Sequence, residues 1–494
     1  MSNPIRKLAG QTAIYGLSSI VGRLLNYLLV PLYTYKFTNA SDYGVVSELY
    51  AWVAFLVILL TFGMETTYFR FRREEKNEAT VFSNAMMILT GINVLFFCCI
   101  LIFHQDIANA LLFQEHPEYI ILLGSIVVLD AVSALPLARL RAEEKAMRFA
   151  AINFASIFIN IGLNLIFMFL LFDPKEPELG VVYILLANLI SSAIKPLFLY
   201  KDFISFQPQI DKKLIRGMLL YSAPLVIAGF AGIINETLDR ILLKHILYNR
   251  SDPSSLIYAE AQVGIYSACY KLAMLVTIII QAFRYAAEPF FFSQYKAENK
   301  DHLYAKIMDY FVGFLCLVFL GVTLNIDILK HFIQNEAYWA GLGVVPILLL
   351  ANIFLGVYYN QSIWYKLSNK TKFGAIISIC GAILTICINV LFIPDFGYWA
   401  SAWATFTVYA FQMILSYFLG QRHYPIPYNI LKFLLYLGSS IILFAIFSKI
   451  DFEITWLNLM TKNIGVLLFL ICFFIIEKPF KKVVYSKFEH GEKI

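Results

Sequence analysis

Among the basic side chains inside long apolar stretches, Arg23, Lys195, Arg240 and Lys271 are singled out. On an insertion scale a cation at mid-helix costs about 2.5–3.5 kcal/mol, so an isolated lipid-facing position is unfavourable. Two roles remain for such a residue. It is neutralised by an intramembrane acid, or it faces a polar cavity in which an anionic guest takes the place of that acid. Depth separates the four. Arg23 and Lys271 lie near the middle of their stretches, where a long side chain cannot easily reach the interface. Lys195 is within a turn or two of one end and snorkels, and Arg240 lies in the outer half of its stretch.

Helical spacing extends the pattern. Ser19, Asn26 and Tyr27 stand at i−4, i+3 and i+4 from Arg23, and Ser267 stands at i−4 from Lys271. If both polar strips face a cleft, they line it with fixed positive charge. A phosphate or pyrophosphate group is the natural guest, because charge-assisted donors replace the water it loses. The acids within or at the ends of the stretches are Glu48, Glu65, Asp130, Glu236 and Asp239. Glu48 and Glu65 lie near opposite ends of one stretch, within reach of the interface, whereas Asp130 is central. Glu236, Asp239 and Arg240 occupy i, i+3 and i+4 on one face, with Arg240 placed to pair with Glu236. Two readings of this trio stand side by side: a self-neutralising cluster, or a group responsive to H+ or Na+. The substrate-binding candidates are therefore Arg23, Asn26, Tyr27, Ser267, Lys271 and Arg240. Asp130, Glu236 and Asp239 are candidates for ion coupling or charge pairing.

The elements that must position these residues are membrane spans. Hydrophobic residues make up 60% of the chain and charged ones 15%, against about 25% charged in soluble proteins. Runs of about 20 apolar residues define spans, and fourteen are present, near 8–33, 45–69, 80–103, 119–138, 149–172, 180–200, 214–247, 262–283, 305–329, 340–363, 373–393, 397–419, 430–448 and 456–476. The chain thus reads as an all-α integral membrane protein. The seventh run exceeds one straight span, and tilt, a break at Pro224 or outward projection would accommodate it. Taken alternately and together with the adjoining span ends, one set of loops holds 28 Lys and Arg and the other set 7. By the positive-inside rule both termini are cytoplasmic. The net charge of +6 follows from this topology and does not indicate nucleic acid. The first span holds Arg23 and Asn26 without a small-residue cleavage site and reads as retained. All seven cysteines lie in spans without a CxxC pair, and there is no phosphate-cradling GxxxxGK[ST] loop or HExxH metal motif. No cofactor or resident metal is expected, only a coupling H+ or Na+.

The chain also repeats itself. Asp42-Tyr43-Gly44-Val45 opens one span and Gln262-Val263-Gly264-Ile265 opens another, with Tyr50 answered by Tyr270. Asn164-Leu165-Ile166-Phe167 returns as Asn389-Val390-Leu391-Phe392, and the interval from Gly180 to Tyr200 matches that from Gly397 to Tyr417. This divides the chain into six-span bundles over 1–205 and 206–421. Residues 422–494 hold two extra spans and a basic tail. Parallel repeats of this kind are the usual build of alternating-access transporters, with the substrate site between them.

The Asp42-Tyr43-Gly44 opening, the stretch from Val263 to Leu272 and the fourteen-span plan resemble the multidrug/oligosaccharidyl-lipid/polysaccharide exporter superfamily. Within it the chain looks most like bacterial polysaccharide-unit flippases of the Wzx type. The resemblance implies two six-helix bundles around a central cavity in the bacterial cytoplasmic (inner) membrane. It also implies transfer of an undecaprenyl-pyrophosphate-linked oligosaccharide to the outer leaflet. Such transfer would serve the biosynthesis of cell-surface polysaccharide such as the O-antigen of lipopolysaccharide, with glycosyltransferases and a polysaccharide polymerase as functional partners. It carries the role of pyrophosphate receptor onto Arg23 and makes spans thirteen and fourteen candidates for a lipid-tail groove. A lipid II flippase shares this architecture. A cation-coupled multidrug exporter of the superfamily typically has twelve spans, and a membrane-embedded glycan-transfer enzyme needs a catalytic group that the sequence does not display.

The charge asymmetry predicts that a cysteine placed in the Arg139–Arg148 loop is labelled by an impermeant thiol reagent only after the membrane is opened. Labelling from outside intact cells would reverse the orientation.

Overall fold

A chain that crosses hydrocarbon must satisfy every amide within its own segment, because no water is available there. Helix is the solution adopted here. The computed structural model describes residues 20–477 apart from 76, 205–208, 295–297, 369, 451, 453 and 454. Among the described residues there is no β-strand, and thirteen helices are long and apolar enough to cross a membrane. The protein is an all-α integral membrane protein. Of the first expected span, residues 20–27 are helical, continuing after a turn into α1 (Leu29–Lys36); Ser19 lies outside the described residues.

The helices that follow are α2 (Ala40–Thr61), α3 (Met64–Glu74), α4 (Glu78–Ala110), α5 (Glu118–Ala142), α6 (Ala146–Ile166) and α7 (Pro177–Phe198). After them come α8 (Lys212–Leu247), α9 (Ser255–Ser293), α10 (Lys300–Thr323), α11 (Val345–Gln361), α12 (Lys372–Phe396), α13 (Tyr398–His423), α14 (Ile430–Phe447) and α15 (Thr455–Glu477). α8 runs unbroken through Pro224. Its 36 residues extend roughly 54 Å, well beyond a hydrocarbon core of about 30 Å, so the long seventh span does not break, and tilt or outward projection accommodates it. The second span, in contrast, does break: Phe62 and Gly63 adopt φ of +47° and +62° between α2 and α3. Glycine tolerates that region, but phenylalanine is strained there. The side chain of Asn93 on α4 donates to the Leu60 carbonyl at 3.1 Å, which satisfies an acceptor beside the interruption.

Packing divides the chain into two compact units, one within Met1–Tyr295 and Lys330–Tyr424, the other within Lys296–Leu329 and Pro425–Ile494. α10, in the 206–421 block by sequence, is thereby grouped with α14 and α15. In this second unit Lys432 Nζ lies 2.8 Å from Glu477 Oε1 and 3.3 Å from Asp309 Oδ2. Tyr436 donates to the same Glu477 oxygen at 2.6 Å. Lys462 pairs with Asp327 at 2.6 Å, and the amides of Asn325 and Asn463 exchange hydrogen bonds.

In the first unit the decisive contact is the crossing of α2 and α9. A Cβ on Gly44 would run into the backbone carbonyl of Glu260, and one on Gly264 would run into that of Ala40. The contact is reciprocal, since each glycine meets the carbonyl four residues before the other glycine. Small residues at such positions let membrane helices approach to backbone contact. One turn along, Lys244 of α8 is fully buried. Its Nζ lies 3.0 Å from Glu48 Oε2 and 3.1 Å from Glu260 Oε1, and 3.5 Å from the centre of the Phe113 ring. Glu48, expected to reach the interface, is instead buried within this triad, because Lys244 supplies the opposite charge that lipid cannot. Glu65 pairs with Arg141. Beside the crossing, Asn335 Nδ2 donates to the Thr38 carbonyl at 2.9 Å, and Tyr338 OH to that of Asn39 at 3.2 Å.

Replacing Lys244 with Met leaves Glu48 and Glu260 buried without their cation. Uncompensated buried charge of this kind costs about 3–5 kcal/mol. The expected result is a large loss of thermal stability in detergent, partly restored by adding Glu48→Gln. An unchanged unfolding midpoint in Lys244→Met would refute the structural role of the triad.

Candidate functional site

The first unit encloses a cavity of about 430 Å³. Its lining brings together Arg23 and Asn26 from the first span, Glu236 and Arg240 from α8, and Ser267 and Lys271 from α9. Five of the six substrate-binding candidates, Arg23, Asn26, Arg240, Ser267 and Lys271, thus share one cavity, although 217 positions separate the Arg23 and Arg240 codons of the chain. Tyr27 is the exception: its ring is buried and stacks on Phe332 at 4.5 Å. That stacking removes it from the polar strip on which helical spacing placed it.

The charges fall into two groups. Arg240 is braced: its Nη1 donates to Asp239 Oδ1 and to the Glu236 carbonyl, each at 2.9 Å, and its guanidinium lies 4.6 Å from the centre of the Tyr270 ring. Tyr266 OH occupies the other Asp239 oxygen at 2.7 Å. The carboxylate partner of Arg240 is therefore its neighbour Asp239 rather than Glu236, because the guanidinium folds back along the helix and takes only the backbone of Glu236. Asp130 and Lys195 are likewise a pair, 2.7 Å apart across α5 and α7, so Lys195 is neutralised within the protein rather than carried to the interface. Arg23 and Lys271 differ. Neither has an ion-pair partner within 4 Å among the described residues, and both line the cavity. Glu236 also lines it, within the electrostatic reach of Arg23, Arg240 and Arg284. The hydroxyl oxygen of Ser267 is buried without a hydrogen-bond partner among the described residues.

Other contributors were not picked out by the sequence. Six tyrosines, among them Tyr33, Tyr50 and Tyr359, line the cavity together with Asn160 and Asn188. Amides inside apolar spans were the available sign, since a buried amide needs partners that lipid does not provide. Nothing in the spacing of the tyrosines sets them apart from core aromatics.

The arrangement offers donors and unneutralised positive charge at membrane depth, enclosed by aromatic and amide walls. The chain belongs to the polysaccharide biosynthesis protein family, whose profile matches residues 8–293. Among solved structures it is similar to the lipid II flippase MurJ in an inward closed conformation. There the identity is 14%, the TM-score 0.72, and the alignment covers 94% of this chain and 99% of that one. It is also similar to an inward-facing multidrug resistance MATE family transporter of the MOP superfamily, at 13% identity and a TM-score of 0.65, covering 80% and 93%. These likenesses, at 13–14% identity, show a shared fold. No curated protein sequence matches the chain.

The two groups of charges should respond differently to neutralisation. Asp239→Asn removes the countercharge of Arg240 and is expected to lower stability by about 1.5–3 kcal/mol, the usual worth of a hydrogen bond to a charged group. Lys271→Met removes an unpaired cation and should leave the unfolding midpoint unchanged or raised. Equal destabilisation by both variants would contradict the division.

Proposed function

We propose that the protein is a flippase that moves a polyprenyl-pyrophosphate-linked oligosaccharide from the cytoplasmic to the outer leaflet of the bacterial inner membrane by alternating access, for cell-surface polysaccharide biosynthesis. The observation that carries this reading is the pair of unpaired cations, Arg23 and Lys271, in a cavity of a polysaccharide biosynthesis family member. A sugar–pyrophosphate head cannot enter hydrocarbon unaided, because its charges would lose their hydration. A cavity that replaces this water with fixed donors removes that barrier while the polyprenyl tail stays in lipid. The process needs no covalent chemistry, so the protein acts as a carrier.

Several further features fit this reading. The reciprocal Gly44–Gly264 contact supports a duplication relating 1–205 to 206–421, since equivalent positions of two repeats meet at their symmetry axis. Lipid-tail contacts are assigned to α14 and α15. Glu236 is the proposed coupling group for H+ or Na+: Asp130 and Asp239 are held in ion pairs, whereas Glu236 lines the cavity among cations.

The test uses Arg23. Arg23→Ala should abolish transfer of the lipid-linked sugar while leaving protein abundance largely intact. Arg23→Lys should restore only part of it, because an ammonium keeps the charge but lacks the planar fork that grips two phosphate oxygens. Normal abundance with undiminished binding of lipid-linked sugar in the alanine variant would remove Arg23 from the site.

A further inference from the structure

The cavity wall built by residues 20–198 carries a second kind of chemistry. Among the described residues Arg23 is its only charge, and the other polar groups on it are neutral amides and hydroxyls. Two of the amides are pinned by protein partners that use up only part of their hydrogen-bonding capacity. Asn160 Oδ1 accepts from Asn164 Nδ2 at 2.5 Å, and Asn164 Oδ1 in turn accepts from Tyr33 OH at 2.9 Å. This orients the Asn160 amide, leaving its nitrogen as a donor with no partner among the described residues. Asn188 Nδ2 donates to Tyr50 OH at 3.1 Å, which leaves the Asn188 oxygen as an acceptor. The contrast is Asn389, buried elsewhere in the unit. It spends both ends within the protein, donating to the Thr385 carbonyl and accepting from Ser401 OH, each at 2.8 Å.

We propose that this neutral wall is a glycan subsite in which Asn160 and Asn188, held by Asn164 and Tyr50, bind hydroxyl or acetamido groups of the sugar attached to the pyrophosphate. The inference rests on the reading of the cavity as a pyrophosphate site and extends it to specificity. A sugar hydroxyl both donates and accepts. Two fixed amides, one offering a donor and the other an acceptor, match that need without adding charge, and anchored rotamers lower the cost of ordering them on binding. The tyrosines on the same wall supply apolar faces for the sugar's C–H surface.

The experiment measures binding to the purified full-length protein of two probes, undecaprenyl pyrophosphate and undecaprenyl-pyrophosphoryl N-acetylglucosamine. Wild-type protein should prefer the sugar-bearing lipid. Asn160→Leu, Asn188→Leu and the gentler Tyr50→Phe should each shrink that preference, by about tenfold for an asparagine variant, with binding of the bare lipid unchanged. That unchanged binding also shows that the variants are folded. Lys271→Met should weaken both probes alike. The subsite is overturned if wild-type protein binds the two lipids equally, if the asparagine variants keep the full preference, or if they weaken both lipids in parallel. Failure of wild-type protein to bind even undecaprenyl pyrophosphate would overturn the pyrophosphate reading and the subsite with it.

Discussion

The cost of holding charge in a medium without water orders this structure. An ion transferred to a dry interior loses hydration worth several kcal/mol even after relaxation, and only close opposite charge and hydrogen bonds recover it. Lys244 recovers it from Glu48 and Glu260, Lys195 from Asp130, and Arg240 from Asp239. In the second unit Lys432 does so from Glu477 and Asp309. Each of these pairs joins or braces helices, so the compensation becomes a packing constraint. Arg23 and Lys271 stand outside this scheme and line the cavity. Beyond the longer-range field of Glu236 at Arg23, no acid within 4 Å compensates them among the described residues, and for that reason they are the site candidates.

The constraint acts together with backbone geometry. The α2–α9 crossing is tight because Gly44 and Gly264 carry no side chains, and the Lys244 triad lies one turn from it. On one side of this contact Asn335 and Tyr338 bond to the carbonyls of Thr38 and Asn39, at the entry to α2. On the other side α2 carries the cavity residues Tyr43, Ser47 and Tyr50, and α9 carries Ser267 and Lys271. The same two helices thus form the tight crossing and part of the cavity lining. In the proposed orientation the Thr38–Asn335 seam lies toward the outside.

Much of this is legible in the sequence. The apolar runs foretold the helices because a bilayer permits little else. Mid-span depth and polar strips are the grounds for placing Arg23 and Lys271 at a cleft, with pairing to an intramembrane acid as the alternative, and both line one cavity. The recurring asparagines also behave alike: Asn164 and Asn389 each donate to the carbonyl four residues back and accept a hydroxyl. Contacts between distant helices could not be read. Helical spacing paired Arg240 with Glu236, but a guanidinium flexible enough to fold back found Asp239. It placed Tyr27 on the polar strip without knowing that Phe332 would capture the ring. Lys195 was assigned to the interface because Asp130, 65 positions away, was not known to face it. The break at Phe62 left only a glycine as its trace, since the compensating amide of Asn93 comes from another helix.

The central claim is that the guest leaves by alternating access, so that the contact of residues 38–39 with residues 335–338, beside the α2–α9 crossing, must open. Cysteines at Thr38 and Asn335, whose segments meet through the Asn335 hydrogen bond to the Thr38 carbonyl, allow the seam to be locked with a short cleavable cross-linker. Purified protein in liposomes would be given undecaprenyl-pyrophosphoryl N-acetylglucosamine, and its arrival in the opposite leaflet followed with an impermeant lectin. The account predicts that cross-linking stops transfer, preserves binding of the lipid, and is reversed when the linker is cleaved. Transfer at an undiminished rate with the seam fully cross-linked would contradict it.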